Sequence, residues 1–169
     1  EIDLYLTKPI SPLLRLSFEQ VNPGSLPLVF LSICILWYGV RLSGVKVTPG
    51  LAAGYGVWVF LMIILWYEME VIIRSLTFFV VSTNNITRLE EAGIDLCMKI
   101  PGVVFKGFYK LLFYVILPYG IIATFPAMYI SGSGSVKMWI YGVAVVGVFG
   151  LLTPFLWKTG LKRYNSVSS

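Results

Sequence analysis

The chain has 169 residues, of which 57% are hydrophobic, 15% aromatic and 12% charged, with a mean hydropathy of +0.84 and a net charge of +5. A soluble domain carries about 25% charged residues, and a domain of this size cannot cover several uncharged runs of about twenty residues. The composition therefore excludes an ordinary soluble protein and predicts an integral membrane protein.

The first segment, residues 1–20, is amphipathic and has no signal-peptide pattern. Glu1 is not a start methionine, so we expect further sequence upstream of it. Pro9 and Pro12 bracket a turn among apolar side chains. If this segment is cytoplasmic, it either lies on the membrane or docks into a groove of another protein.

Four apolar runs predict four membrane spans, at about 25–40, 50–81, 111–130 and 136–157. The second run is too long for one perpendicular crossing of a hydrocarbon core of about 30 Å, so it either tilts or continues as a helix in water. Glycines in the second and fourth runs favour close helix contacts, although glycine is common in membrane helices in any case. The fold class predicted is an all-α membrane helical bundle, in one domain, with additional interfacial helices.

Three charged residues interrupt the second run, Glu68, Glu70 and Arg74. Glu70 and Arg74 are four residues apart with the acid first, which favours an ion pair on one helix. Within the membrane these side chains would face protein or water. Alternatively, the helix has left the bilayer here and the pair is an ordinary interfacial salt bridge.

Three prolines are predicted to break helices, Pro101, Pro118 and Pro126. Pro101 ends a polar helix that starts near residue 84, and an interfacial helix follows it. The other two lie in the uncharged stretch 111–131, whose freed backbone carbonyls need partners from neighbouring helices, side chains or water. We expect this stretch to break at or after Pro118, with residues 125–130 as a separate short element near the outer surface.

The charge distribution predicts the orientation of the spans. With the N-terminal end inside, the inner segments carry nine basic residues, Lys8, Arg15, Arg88, Lys99, Lys106, Lys110, Lys158, Lys162 and Arg163. The outer loops carry three, Arg41, Lys46 and Lys137. This asymmetry follows the positive-inside rule with both ends cytoplasmic, so the net charge indicates topology and contact with lipid, not nucleic-acid binding.

Motifs for catalysis, nucleotide binding and metal binding are missing from the sequence. There is no phosphate-binding loop, no H-E-x-x-H, no cysteine pair at metal spacing and no histidine. We therefore predict no catalytic, cofactor-binding or metal-binding residues, and a protein that is not an enzyme.

The sequence resembles the ABC-2-type transporter permeases in four motifs that occur in the family's order. The start, EIDLYLTKPISPLLRL, is similar to the family's G-E-hydrophobic-D-x-x-L-x-R/K-P-hydrophobic-S/N-P-L loop. Residues 75–82, SLTFFVVS, stand at its S-F-W segment, residues 100–127 resemble its proline-containing stretch ending in Y-P-A, and WKTGLKRY at 157–164 is similar to its closing W-x-x-G-L-K/R-K/R-Y.

The resemblance implies the last four of about six spans of a permease subunit. It implies a second permease subunit, identical or not, a separate cassette ATPase subunit as partner, and the inner membrane of a bacterial-type cell as location. By analogy, the ATPase would be contacted by residues of the first segment, Leu6, Lys8, Pro9, Ser11, Pro12 and Arg15. The resemblance also implies an exporter that works by ATP-driven alternating access. The residues alone leave two alternatives open, a non-ABC secondary transporter and a structural membrane subunit.

Overall fold

The computed structural model of the chain describes residues 23–76, 83–100 and 102–167. It divides into two compact units, Glu1–Gly44 and Val45–Ser169. Every regular element among the described residues is a helix, which confirms the all-α fold class.

The described part of the first unit is one helix with a short lead-in. A 3-10 turn at Pro23–Ser25 precedes helix α1, Leu26–Leu42. Pro27 lies in the first turn of α1. Backbone N–H groups in this turn have no intrahelical acceptor, so a proline here removes no hydrogen bond. With the 3-10 turn, α1 is long and apolar enough to cross a membrane.

The described part of the second unit contains five α-helices. They are α2 at Pro49–Leu76, α3 at Thr83–Lys99, α4 at Gly107–Leu111, α5 at Tyr119–Ile130 and α6 at Val136–Val167. A 3-10 turn at Gly102–Val104 lies between α3 and α4, and a π-helical turn at Leu112–Ile116 continues α4.

Three described helical segments are long and apolar enough to cross a membrane, at 23–42, 49–76 and 136–161. The pair formed by 107–116 and 119–130 provides a fourth if it counts as one span. Helix α2 ends at Leu76, and residues 77–82 lie outside the described part. Its 28 residues span about 42 Å, which exceeds a hydrocarbon core of about 30 Å.

Contacts along α2 give the direction of α6. The Trp58 ring packs against Trp139, with ring centroids 4.4 Å apart, and against Gly142. Further along both helices, Glu68 lies against Gly150. Because the contacts advance together along the two helices, α2 and α6 run parallel.

Contacts along α2 give the opposite direction for α5. The Tyr129 hydroxyl packs on Gly54, and the Phe125 ring meets Trp58 edge-on with centroids 5.4 Å apart. Tyr119, at the start of α5, meets Trp66 further along α2. Helix α5 is therefore antiparallel to α2, and a turn at residues 131–135 returns the chain into α6.

Two buried apolar clusters hold these helices together. One joins α2, α5 and α6 through Trp58, Met62, Leu65, Ile121, Phe125, Met138 and Val145. The other joins α2 and α3 to the segment before α5 through Met69, Ile73, Cys97, Phe105, Phe113 and Tyr119. The second cluster places the polar helix α3 beside the bend between α4 and α5.

Candidate functional site

The chain bends by 90° between residues 107–116 and 119–130. We call Leu112–Gly120 the elbow. Pro118 immediately precedes α5, and the Leu117 N–H reaches back five residues to the Leu112 carbonyl oxygen at 2.7 Å. Residues 111–131 are therefore not one straight helix.

A tyrosine from α6 satisfies the carbonyl that the elbow leaves without a helical donor. Pro118 has no N–H. The Tyr119 N–H, which the π-helical register would pair with the Tyr114 carbonyl oxygen, donates to the Leu117 carbonyl oxygen at 2.6 Å. The Tyr141 hydroxyl donates to the Tyr114 oxygen. A side chain of a neighbouring helix thus replaces the lost backbone bond, as breaks within membrane helices require.

Glycines allow the backbone to double back at the elbow. A Cβ atom on Gly120 would lie 2.8 Å from the Phe113 carbonyl oxygen, and one on Gly102 would lie 2.6 Å from the Gly120 carbonyl oxygen. The Gly102 N–H donates to the Thr124 hydroxyl oxygen at 3.1 Å, and that hydroxyl donates to the Gly120 carbonyl oxygen at 2.6 Å. These contacts attach the 3-10 turn after α3 to the first turns of α5.

A second bond attaches α3 to the elbow. The Tyr119 hydroxyl donates to Glu90 Oε1 at 3.1 Å. Burial, and then the charge of Glu70, raise the pKa of the Glu90 carboxyl, while the Tyr119 hydrogen bond and Arg74 oppose the shift. Spacing could not indicate this bond, because its residues belong to different helices.

The three charged residues that interrupt the second apolar run, Glu68, Glu70 and Arg74, lie in α2 in two different environments. Arg74 Nε donates to Glu70 Oε2 at 3.0 Å, and the Arg74 side chain is exposed while that of Glu70 is partly exposed. Glu68 is buried at 7% exposure and faces α6. Two residues in a helix are separated by about 200° around its axis, so Glu68 and Glu70 lie on different faces.

Proline has different consequences at the three predicted positions. Pro118 stands at the elbow, whereas Pro126 lies inside α5, which continues through it from Tyr119 to Ile130. The separate element expected at 125–130 is therefore wrong. An internal proline removes one hydrogen bond, and a packed helix tolerates that loss without ending. Pro101 lies outside the described residues.

The residues predicted to contact an ATPase all lie outside the part of the chain that the structure describes. They are Leu6, Lys8, Pro9, Ser11, Pro12 and Arg15. Within the described ranges, no group of three or more His, Cys, Asp or Glu side chains could hold a metal ion. The polar features that the structure brings together are thus the elbow with its α3 attachments and the buried carboxyl of Glu68.

Comparison with known proteins gives one match. Residues 1–168 match the model of a family described as ABC-2 family transporter protein. No curated protein and no solved structure matches the chain. The matched residues include the elbow, α3 and the interface between α2 and α6.

Proposed function

Because the chain belongs to the ABC-2 family of transporter proteins, we propose that it is the permease subunit of an ATP-driven exporter. Family membership makes it a multi-pass membrane component of an ABC transporter, and permeases of this family work with an ATPase subunit. The observation that carries the proposal is the family match over residues 1–168.

The directions of the helices in the second unit support a topology in which α2 and α6 both end on the cytoplasmic side. Helices α2 and α6 are parallel and α5 is antiparallel to them, so an α2 that runs inward implies an α6 that also runs inward. Lys137 then lies at the outer end of α6 and Lys158 at its inner end, followed by Lys162 and Arg163. This arrangement agrees with the positive-inside rule for the inner membrane of a bacterial-type cell.

In the proposed mechanism, two permease subunits form a pair and change between inward-open and outward-open states. ATP binding closes the ATPase dimer, the coupling segment at residues 6–15 moves, and the permease subunits rock against each other. Within this chain, α3 lies on the cytoplasmic side. Its bond from Glu90 to Tyr119, and that from Gly102 to Thr124, would transmit movement on that side to α5.

Reconstitution tests the function. We expect the protein to co-purify with a cassette ATPase and to move substrate in liposomes only when ATP is hydrolysed. An ATPase variant that binds ATP without hydrolysing it is the control. Flux driven by an ion gradient without ATP would instead support a secondary transporter, and a missing ATPase together with missing flux would contradict the proposal.

Charge reversal in the first segment tests the coupling contact. Lys8→Glu and Arg15→Glu should abolish the stimulation of ATP hydrolysis by the permease while the protein remains folded. Lys46→Glu is the matched control, because Lys46 lies in a predicted outer loop. Stimulation that is unchanged in both variants of the first segment would show that the ATPase docks elsewhere.

A further inference from the structure

Glu68 is a buried acid in the interface between two helices that are long enough to cross the membrane. Its side chain is 7% exposed and points from α2 towards α6. Glu68 Oε1 lies 3.0 Å from the position that a Cβ atom would take on Gly150. The missing side chain at Gly150 therefore provides the space that the carboxyl group occupies.

The second oxygen of this carboxyl group has no partner. Glu68 Oε2 is fully buried and forms no hydrogen bond with any described residue. The ion pairs among the described residues join Glu70 to Arg74 and Asp95 to Lys99, and neither includes Glu68. Among the described residues, Glu68 therefore has no counter-charge, and its Oε2 has no donor to stabilise a negative charge.

No cationic side chain that the structure describes in the surrounding elements lies against Glu68. Helix α6 presents Gly150, and its nearest charged residue, Lys158, is exposed and about two turns further along. On α2, Arg74 pairs with Glu70.

The other titratable groups that face this end of α2 come from α3 and α5. They are Glu90 and Cys97 on α3 and Tyr119 on α5, and Glu90 accepts its hydrogen bond from Tyr119. Tyr141 of α6 donates to the Tyr114 carbonyl oxygen. These groups supply Glu68 with neither a positive charge nor a hydrogen bond.

We propose that Glu68 is a proton-binding site whose neutral, protonated form holds α2 against α6 at Gly150. Burying an unpaired carboxylate costs far more than burying a neutral acid, and charged groups within membrane helices are costly unless paired or hydrated. The proton is the ligand that removes this cost without needing additional space. When it leaves for bulk water, the carboxylate needs hydration, and the contact at Gly150 loosens.

Infrared spectroscopy of the purified protein in lipid nanodiscs tests for the bound proton. A protonated carboxylic acid has a C=O stretch that a carboxylate lacks, and the chain contains only eight Asp and Glu residues. Glu90→Gln is the starting protein, because burial raises the pKa of the Glu90 carboxyl. At neutral pH this protein should show the band, and adding Glu68→Gln should abolish it. Glu70→Gln is the matched control and should retain it, because Glu70 is an ion-paired acid on the same helix.

Two glycine substitutions, Gly150→Ala and Gly147→Ala, test the link between proton binding and helix packing. Both keep Glu68, so this test remains available if Glu68→Gln does not fold. Gly150→Ala places a Cβ atom against the carboxyl group and should lower the pH at which the band disappears. Gly147→Ala should leave that pH unchanged, because a Cβ atom there meets nothing within 4 Å. A missing band at neutral pH, a band that Glu68→Gln retains, or equal behaviour of the glycine variants would overturn the proposal.

Discussion

The elbow and the α2–α6 interface at Glu68 both place polar groups within apolar surroundings. They differ in whether these groups have hydrogen-bond partners. At the elbow, Tyr141 donates to the Tyr114 carbonyl oxygen, and Thr124 links Gly102 to Gly120. At the α2–α6 interface, Glu68 Oε2 is buried without a partner. The first region is satisfied by side chains of this chain, whereas no described side chain serves Glu68 Oε2, where we propose a proton.

This difference separates structural polar groups from functional ones. A buried polar group with all its bonds made stabilises one geometry, and removal of a partner costs the desolvation of the group that remains. A buried acid without a partner adds no comparable stability and responds to its surroundings. Substitutions at the elbow should therefore reduce stability, while those at Glu68 should change proton binding.

The largest effect is expected for Gly102→Ala. The added Cβ atom would contact the Thr124 hydroxyl, and would lie 2.6 Å from the Gly120 carbonyl oxygen and 2.7 Å from the Tyr114 hydroxyl. Overpacking of this kind costs about 1–3 kcal/mol, and we expect the upper end because a backbone oxygen cannot move aside alone. Thermal unfolding in detergent measures the loss. Gly56→Ala is the control, since nothing lies within 4 Å of a Cβ atom there, and equal unfolding temperatures would contradict a tightly packed elbow.

Tyr141→Phe should have the next largest effect. It leaves the Tyr114 carbonyl oxygen without its donor, which costs about 1–3 kcal/mol for a buried group. Tyr109→Phe, at an exposed position, should change stability little. Equal unfolding temperatures of the Tyr141→Phe and Tyr109→Phe proteins would contradict a stabilising role of this hydrogen bond.

The smallest effect is expected for Glu90→Gln, and it depends on pH. Burial and the charge of Glu70 raise the pKa of Glu90 in the folded protein, so the folded state favours the protonated acid. Its stabilisation is present below the unfolded pKa and is lost as pH rises through the folded pKa. The unmodified protein should therefore lose more stability than Glu90→Gln over that rise. Parallel curves of unfolding temperature against pH would rule out this contribution of Glu90.

Sequence patterns predict the parts of this fold that depend on nearby residues. Apolar runs indicate the long helices, and the spacing of Glu70 and Arg74 indicates their ion pair. The partners of Glu90 and Tyr114 come from helices 27 or more residues away, so spacing carries no signal for them. The burial of Glu68 depends on its contact with Gly150 of α6, and the local sequence of α2 gives no information about that contact.

Pro118 and Pro126, which lie in one stretch of sequence, also show that local patterns do not predict long-range packing. Both lack an N–H, and residue type alone predicts a break at each. The chain bends at Pro118, where Tyr141 serves the freed carbonyl and glycine permits close backbone contact, yet α5 continues through Pro126. The outcome at each proline depends on packing against other helices, which a local sequence pattern does not contain.

Labelling of single cysteines tests most directly whether the elbow lies within a membrane crossing. Cys34 is exposed and is first replaced by serine, whereas Cys97 is buried, and burial raises its pKa to about 11, so it reacts slowly. Lys106→Cys and Ser133→Cys, both at exposed positions on either side of residues 107–130, are then labelled from each side of sealed vesicles. Labelling from opposite sides is the predicted result. Labelling of both from the same side would contradict parallel crossings by α2 and α6 and show that residues 107–130 return to the side they entered.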